Sequence, residues 1–112
     1  MAALPFSKIR RAGGLVFLAG EVPTSPDGSV PSGIAAQTAL TLTKIAATLA
    51  GEGLSLADVV SCTVYLTHKA DFAAFNEAYA KHFSDPLPVR TTFEAALMLD
   101  ARIEITVIAK EK

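Results

Sequence analysis

Between Val59 and Leu66, Val60, Cys62, Val64 and Leu66 alternate with Val59, Ser61, Thr63 and Tyr65, a period of two in β-branched company that predicts a central strand. Upstream, Leu15 to Ala19 is apolar on both faces and follows Gly13-Gly14, as a buried strand entered from a tight turn would be. Ser7 to Arg11 is its expected partner. The period lengthens to three and four residues at Ile34, Thr38, Leu42, Ile45 and Leu49, which predicts an amphipathic helix capped by Ser32 and stopped by a left-handed Gly51. A second helix, with Asp71 as cap, carries Phe72, Phe75, Tyr79 and Phe83 on one stripe, read as core and not as a cofactor box. Pro86 and Pro88 hold the chain extended, and strand-like runs follow over 88–94 and 102–109. A turn at Thr24-Ser25-Pro26-Asp27-Gly28 separates the first hairpin from the first helix. The order is hairpin, helix, strand, helix, strand, strand, which predicts an α+β fold with two helices on one face of a mixed sheet.

Length and composition narrow the picture. With 112 residues, the chain is expected to form one domain over 1–112. Hydrophobic residues reach 51% and charged ones only 19%, an apolar balance for so small a domain, which points to a subunit interface. A formal charge of -1 and a pI near 6.1 supply no footprint for sequence-independent nucleic-acid binding. The single cysteine, Cys62, fits a reducing compartment and reads as a buried, inert thiol. The apolar run after Arg10-Arg11 ends at Glu21, too short for a signal segment or a membrane span, so a cytoplasmic protein is expected. Arg10-Arg11 itself reads as a solvent-facing strand end. His68 and His82 fit no metal-ligand spacing, and no metal is expected.

The last two strand-like runs carry the candidate chemistry. Charged side chains are seldom fully buried alone, so Arg90 and Glu104 are either solvated on a sheet face or held in a cleft. An arginine fork binds a carboxylate bidentately, and a carboxylate can hold or activate a water. Period two puts Arg90, Thr92 and Glu94 on one side of their strand and Arg102, Glu104, Thr106 and Ile108 on one side of theirs. If the two strands formed an antiparallel hairpin, Arg90 would lie near its far end, and a subunit interface could supply the closeness to Glu104. On the residues alone, a structural arginine paired to Glu94 or Glu104 explains Arg90 better than a ligand does.

The motif Pro88-Val89-Arg90, followed by Ile103-Glu104-Ile105, resembles the C-terminal signature of the RidA/YjgF family of reactive-intermediate deaminases. Pro5-Phe6-Ser7 is similar to that family's Pro-Tyr-Ser, and Ala19-Gly20-Glu21-Val22-Pro23 to its Ser-Gly-Gln-Ile-Pro. Asp58 to Leu66 resembles its central strand and Asp71 to Tyr79 its second helix, so the match runs in order over most of the chain. The resemblance implies a chorismate-mutase-like fold, trimeric, with the sheets forming an inner barrel, and ligand clefts between subunits. It implies that Arg90 clasps a substrate carboxylate, that Glu104 orients the hydrolytic water, and that Gly20, Thr92, Phe6 and Ala19 line the substrate site. The implied activity is hydrolytic deamination of small 2-imino or enamino acids such as 2-aminoacrylate. No cofactor is expected, because an imine is already electrophilic.

The pattern departs from the family at Phe6 (usually Tyr), Ala19 (usually Ser), Glu21 (usually Gln) and Thr92 (frequently Cys). The loop Ala96 to Asp100 is also one residue short. With Glu104, an interface salt bridge explains the residue as well as a water-positioning role does. Loss of the Phe6 and Ala19 hydroxyls favours a non-catalytic trimer that binds a small carboxylate metabolite, whereas retention of Arg90 and Glu104 favours the enzyme. A ribonuclease is the third reading, opposed by the absence of a basic phosphate groove in this acidic chain.

Overall fold

A computed structural model describes residues 4–112. Five strands and two helices follow in the predicted order: β1 (Ile9–Ala12), β2 (Leu15–Leu18), α1 (Ile34–Ala50), β3 (Val59–Leu66), α2 (Phe72–Ala80), β4 (Val89–Glu94) and β5 (Ile103–Lys110). Gly13 and Gly14 both take positive φ, 60° and 79°, the left-handed pair that closes the β1–β2 hairpin. The sheet order is β1-β2-β5-β3-β4, with β4 parallel to β3 and the other pairs antiparallel. The sheet is therefore mixed, as expected. The last two strands are not a hairpin, however: β3 lies between them, because α2 returns the chain to run β4 parallel along the far side of β3.

Both helices cover one face of the sheet. Leu42, Ile45 and Leu49 of α1, Phe75 and Tyr79 of α2, Val64 and Leu66 of β3, and Ile103, Ile105 and Val107 of β5 form one core. All five apolar-stripe positions predicted for α1 are buried. Its ends differ from expectation. Gly33, not Ser32, occupies the N-cap, at φ 86° and ψ 151°, and no side chain caps the helix. Ser32 stands one residue too early. The start is tied instead by buried Gln37, whose amide donates to Pro31 O at 2.9 Å and accepts from Arg102 N at 2.8 Å. At the other end Gly51 is right-handed, and the left-handed residue is Gly53, at φ 74°. Gly53 N donates to Ala50 O and Leu54 N to Leu49 O, so the chain turns two residues later than Gly51.

Two side-chain expectations also change. In β3 a bulge between Val59 and Ser61 breaks the alternation, leaving Val59 buried and Val60 38% exposed, while Cys62, read as buried, points inward with Val64 and Leu66. β2 is not buried on both faces, since Phe17 is exposed and only Val16 and Leu18 are covered. Asp71 caps nothing with its side chain: its carboxylate pairs with Arg102, Oδ1 accepting from Nη2 at 3.0 Å with Oδ2 2.9 Å from Nε. The stronger charge-assisted partner takes the acid away from the helix end.

Candidate functional site

Alternation along β5 buries Ile103, Ile105, Val107 and Ala109 under the helices and turns Glu104, Thr106 and Ile108 to the opposite, uncovered face. There Glu104 meets Gly20, just beyond β2. A Cβ at position 20 would collide with the Glu104 carboxylate and stand 3.2 Å from Thr106 Oγ1. Glycine is thus the residue that lets the carboxylate lie against the backbone. A groove of about 480 Å³ opens at this point, lined by Phe6, Ser7, Arg10, Phe17, Ala19, Gly20 and Glu104. Four of the six residues singled out by resemblance, Phe6, Ala19, Gly20 and Glu104, therefore come together. Arg10, read from sequence as a solvent-facing strand end, is a groove residue as well. Glu21 is not: its carboxylate turns to α1, 3.3 Å from Lys44 Nζ, and Lys44 also donates to Val22 O and Thr24 Oγ1 at 3.0 Å.

Arg90 and Thr92 are elsewhere. Arg90 is opposite Cys62 in the β3–β4 register, and Cys62 faces the helices, so Arg90 does too. Its guanidinium lies 4.8 Å from the ring centroid of Tyr79, 5.0 Å from that of Phe75 and 5.8 Å from that of Phe72, and Nη2 donates to Asn76 Oδ1 at 2.8 Å. Among the described residues no carboxylate pairs with it. Glu94, one proposed structural partner, accepts instead from Lys69 N at 2.8 Å, and Glu104 is on the other face. The reading of Arg90 as one half of a structural ion pair is therefore corrected within the protomer. So is the reading of the α2 aromatics as core alone: Phe75 is fully buried, but Phe72 is 46% exposed. The stripe forms a cradle for a cation, whose attraction to ring faces grows with desolvation.

Asn76 was missed from sequence, although a signal existed. It follows Phe72 by four residues and precedes Tyr79 by three, which puts all three on one side of a helix. Thr92, two residues on from Arg90, turns a buried Oγ1 toward the helix side, where it has no hydrogen-bond partner among the described residues. It lines a small pocket of about 210 Å³ with Phe72 and Glu94. Beneath Arg90, the Tyr79 hydroxyl is buried without an oxygen or nitrogen partner among the described residues, beside the weakly bonding Cys62 sulfur. Burial pushes both the Tyr79 hydroxyl and the Cys62 thiol above their ordinary pKa, which makes Cys62 an inert thiol, as read.

Arg90 and Glu104 are therefore separated within one protomer. They project from opposite faces, two strand spacings apart, about 10 Å, with a further offset of three residues along β3, again about 10 Å. A molecule the size of a small amino acid cannot touch both. A larger hollow of about 730 Å³, between the loop at Leu97–Asp100 and the residues Gln37, His68 and Arg102, contains none of the six site residues. Among the described residues no cluster of His, Cys, Asp and Glu could hold a metal ion, and no helix is long and apolar enough to cross a membrane.

Alanine at position 20 tests the groove. Gly20→Ala is expected to leave the melting temperature within about 2 °C of wild type, because the group that must move is the free end of a side chain. A change in the crystallographic position of the Glu104 carboxylate, with that small thermal shift, is the expected result. An unmoved carboxylate would show that the close approach does not set its place.

The family profile described as Endoribonuclease L-PSP matches residues 1–111. A RutC family protein of Pyrococcus horikoshii is 42% identical over 108 residues, covering 94% of this chain and 86% of its own. The chloroplastic Reactive Intermediate Deaminase A of Arabidopsis thaliana is 39% identical over 108 residues, 94% of this chain and 58% of that protein. Among solved structures, Escherichia coli TdcF with bound serine superposes with a TM-score of 0.88 at 32% identity, covering 99% of this chain and 91% of that one. The relatives include proteins named for the chloroplast and the mitochondrion, so membership does not itself assign a compartment. The similarity in sequence spans the full run of strands and helices described above, and with it the chain belongs to the RidA/YjgF family, the endoribonuclease L-PSP family of reactive-intermediate deaminases.

Proposed function

We propose that this protein hydrolyses small 2-imino acids, and the enamines in equilibrium with them, to 2-oxo acids and ammonia. The observation that carries the reading is Arg90: a half-buried guanidinium aimed by Asn76, stacked among aromatic rings and paired with no carboxylate among the described residues. Such a fork is suited to a substrate carboxylate where lysine is not. Relatives named as reactive-intermediate deaminases, and a neighbour that binds the small carboxylate serine, support the same substrate class.

The active cleft would lie between subunits of a homotrimer. Arg90 at the β4 edge of one protomer would face the Gly20–Glu104 groove of the next, which answers the separation of the two groups within a chain. Exposed Phe17, Val89 and Phe93, together with the uncovered sheet face, supply apolar surface for such contact. In that cleft Arg90 binds the carboxylate, with backbone N–H groups near Gly20 and Thr92 holding the rest of the ligand. Glu104 takes a proton from water as its oxygen bonds to the C=N carbon. That proton passes to nitrogen to give the carbinolamine, whose hydroxyl proton then moves through Glu104 to the amine as the C–N bond breaks, so that neutral ammonia leaves and the carbonyl forms. No redox step is involved, and orientation alone can contribute on the order of 7 to 11 kcal/mol in the best cases. The reducing cytoplasm suits the lone buried Cys62.

The test generates imines from several amino acids with an amino-acid oxidase and traps the survivors with semicarbazide, with and without the protein. Faster loss of imine is the expected outcome. Saturable binding of small carboxylates without faster loss would shift the function to a metabolite-binding trimer, a reading favoured by the hydroxyl-free Phe6 and Ala19 beside Glu104. Ribonuclease activity is disfavoured by the net charge of -1, which supplies no phosphate track.

A further inference from the structure

We infer that Asn76 is a positioning residue that sets the ligand's charge: its neutral amide aims the Arg90 fork yet leaves the positive charge for a carboxylate on the substrate. The inference rests on the reading of Arg90 as the carboxylate anchor and adds the reason for its selectivity. Two other arginines are treated differently, while the fourth, Arg10, is exposed on β1 and pairs with no carboxylate among the described residues. Arg11 is neutralised by Glu52 and Glu111, at 3.0 and 2.9 Å, and Arg102 by Asp71, at 2.9 Å. Asp71 immediately precedes α2, and Asn76 is five residues further along the same segment. One short stretch of chain thus presents an acid to Arg102 and an amide to Arg90.

An amide oxygen accepts one N–H and fixes the plane of the guanidinium without cancelling its charge. The faces of Phe72, Phe75 and Tyr79 attract the cation in the same non-neutralising way. An aspartate at position 76 could offer an oxygen at the same place. It would also form an ion pair in a half-buried setting, and a substrate carboxylate would have to compete with it. Structure and binding therefore make opposite demands on this position. For the fold alone, the order of preference is Asp at least equal to Asn, then Ala. For a carboxylate ligand it is Asn, then Ala, then Asp.

The experiment titrates wild type, Asn76→Ala, Asn76→Asp and Arg90→Ala with pyruvate, the simplest 2-oxo acid product, following backbone amide shifts and the Arg90 Nε–H resonance by NMR. Melting temperatures and imine turnover are measured on the same samples. Expected for Asn76→Asp is an unchanged or higher melting temperature, with pyruvate affinity and half-saturation for the imine weakened by about 10-fold or more and turnover at saturation within about twofold. Asn76→Ala, which keeps the charge but frees the fork, is expected to lose less than about 10-fold in affinity and serves if the Asp variant fails to fold. Asp binding pyruvate as well as Asn, or Ala losing binding as completely as Asp, would overturn the role of Asn76 while leaving Arg90 as anchor. Wild type that binds pyruvate no better than Arg90→Ala would overturn the anchor itself, and this inference with it.

Discussion

Arg90→Lys is expected to slow imine hydrolysis by on the order of 100-fold, and Arg90→Ala to remove the acceleration altogether, in the semicarbazide assay. The magnitude follows from what a carboxylate loses at this place. Charge-assisted hydrogen bonds from a fixed fork are worth about 1.5–3 kcal/mol each, and about 2.7 kcal/mol corresponds to 100-fold. Lysine retains the charge but has neither the fork nor the planar surface that lies against Tyr79 and Phe75, so its ammonium cannot be aimed by Asn76 in the same way. The loss should fall mainly on half-saturation for the shorter imino acids. A lysine variant with wild-type rates would show that charge alone, or some other residue, holds the substrate.

Glu104→Gln is expected to lower turnover at saturation by about 100-fold to 10,000-fold, the usual range for losing a positioned general base, while affinity for pyruvate changes by less than about threefold. Glutamine preserves the size of the side chain beside Gly20 and Thr106 but cannot accept the proton of water. Wild-type turnover in Glu104→Gln would reduce Glu104 to an interface or packing residue. The pair of variants also tests the arrangement between subunits. Co-refolding Arg90→Ala with Glu104→Gln in equal amounts should restore on the order of a quarter of wild-type activity, because random assortment at a head-to-tail interface regenerates that share of intact sites. No recovery, from subunits shown by light scattering to have mixed, would rule out a cleft assembled from two chains.

Several site residues were legible because their signals are local. The Pro-x-Arg and Ile-Glu-Ile runs drew attention to Arg90 and Glu104, and the glycine of Ala19-Gly20-Glu21 to the position where a carboxylate packs against backbone. Asn76 was hidden in a stripe of aromatics that reads as core, since the arginine that gives the stripe its second purpose is on a strand that follows α2. Arg10 is solvent-facing, as read, and its second place, in the groove, could not be read locally because that groove is built partly by Glu104, which is far away in sequence.

The sequence by itself determined the elements and their order, the apolar stripe of α1, the burial of Cys62, and the family, whereas the stripe read for the second helix reached Phe83, beyond the end of α2 at Ala80. The elements and the α1 stripe follow from periodicity within a few turns of chain, and the family from resemblance of motifs in order along most of it. Only the tertiary structure decided that β3 would intervene between β4 and β5, that a bulge would expose Val60, and that Asp71 would leave the helix end for Arg102. Strand order and ion-pair choice depend on competition among partners distant in sequence, and no local period records which partner wins. The separation of Arg90 from Glu104 onto opposite faces of one sheet is a product of that competition.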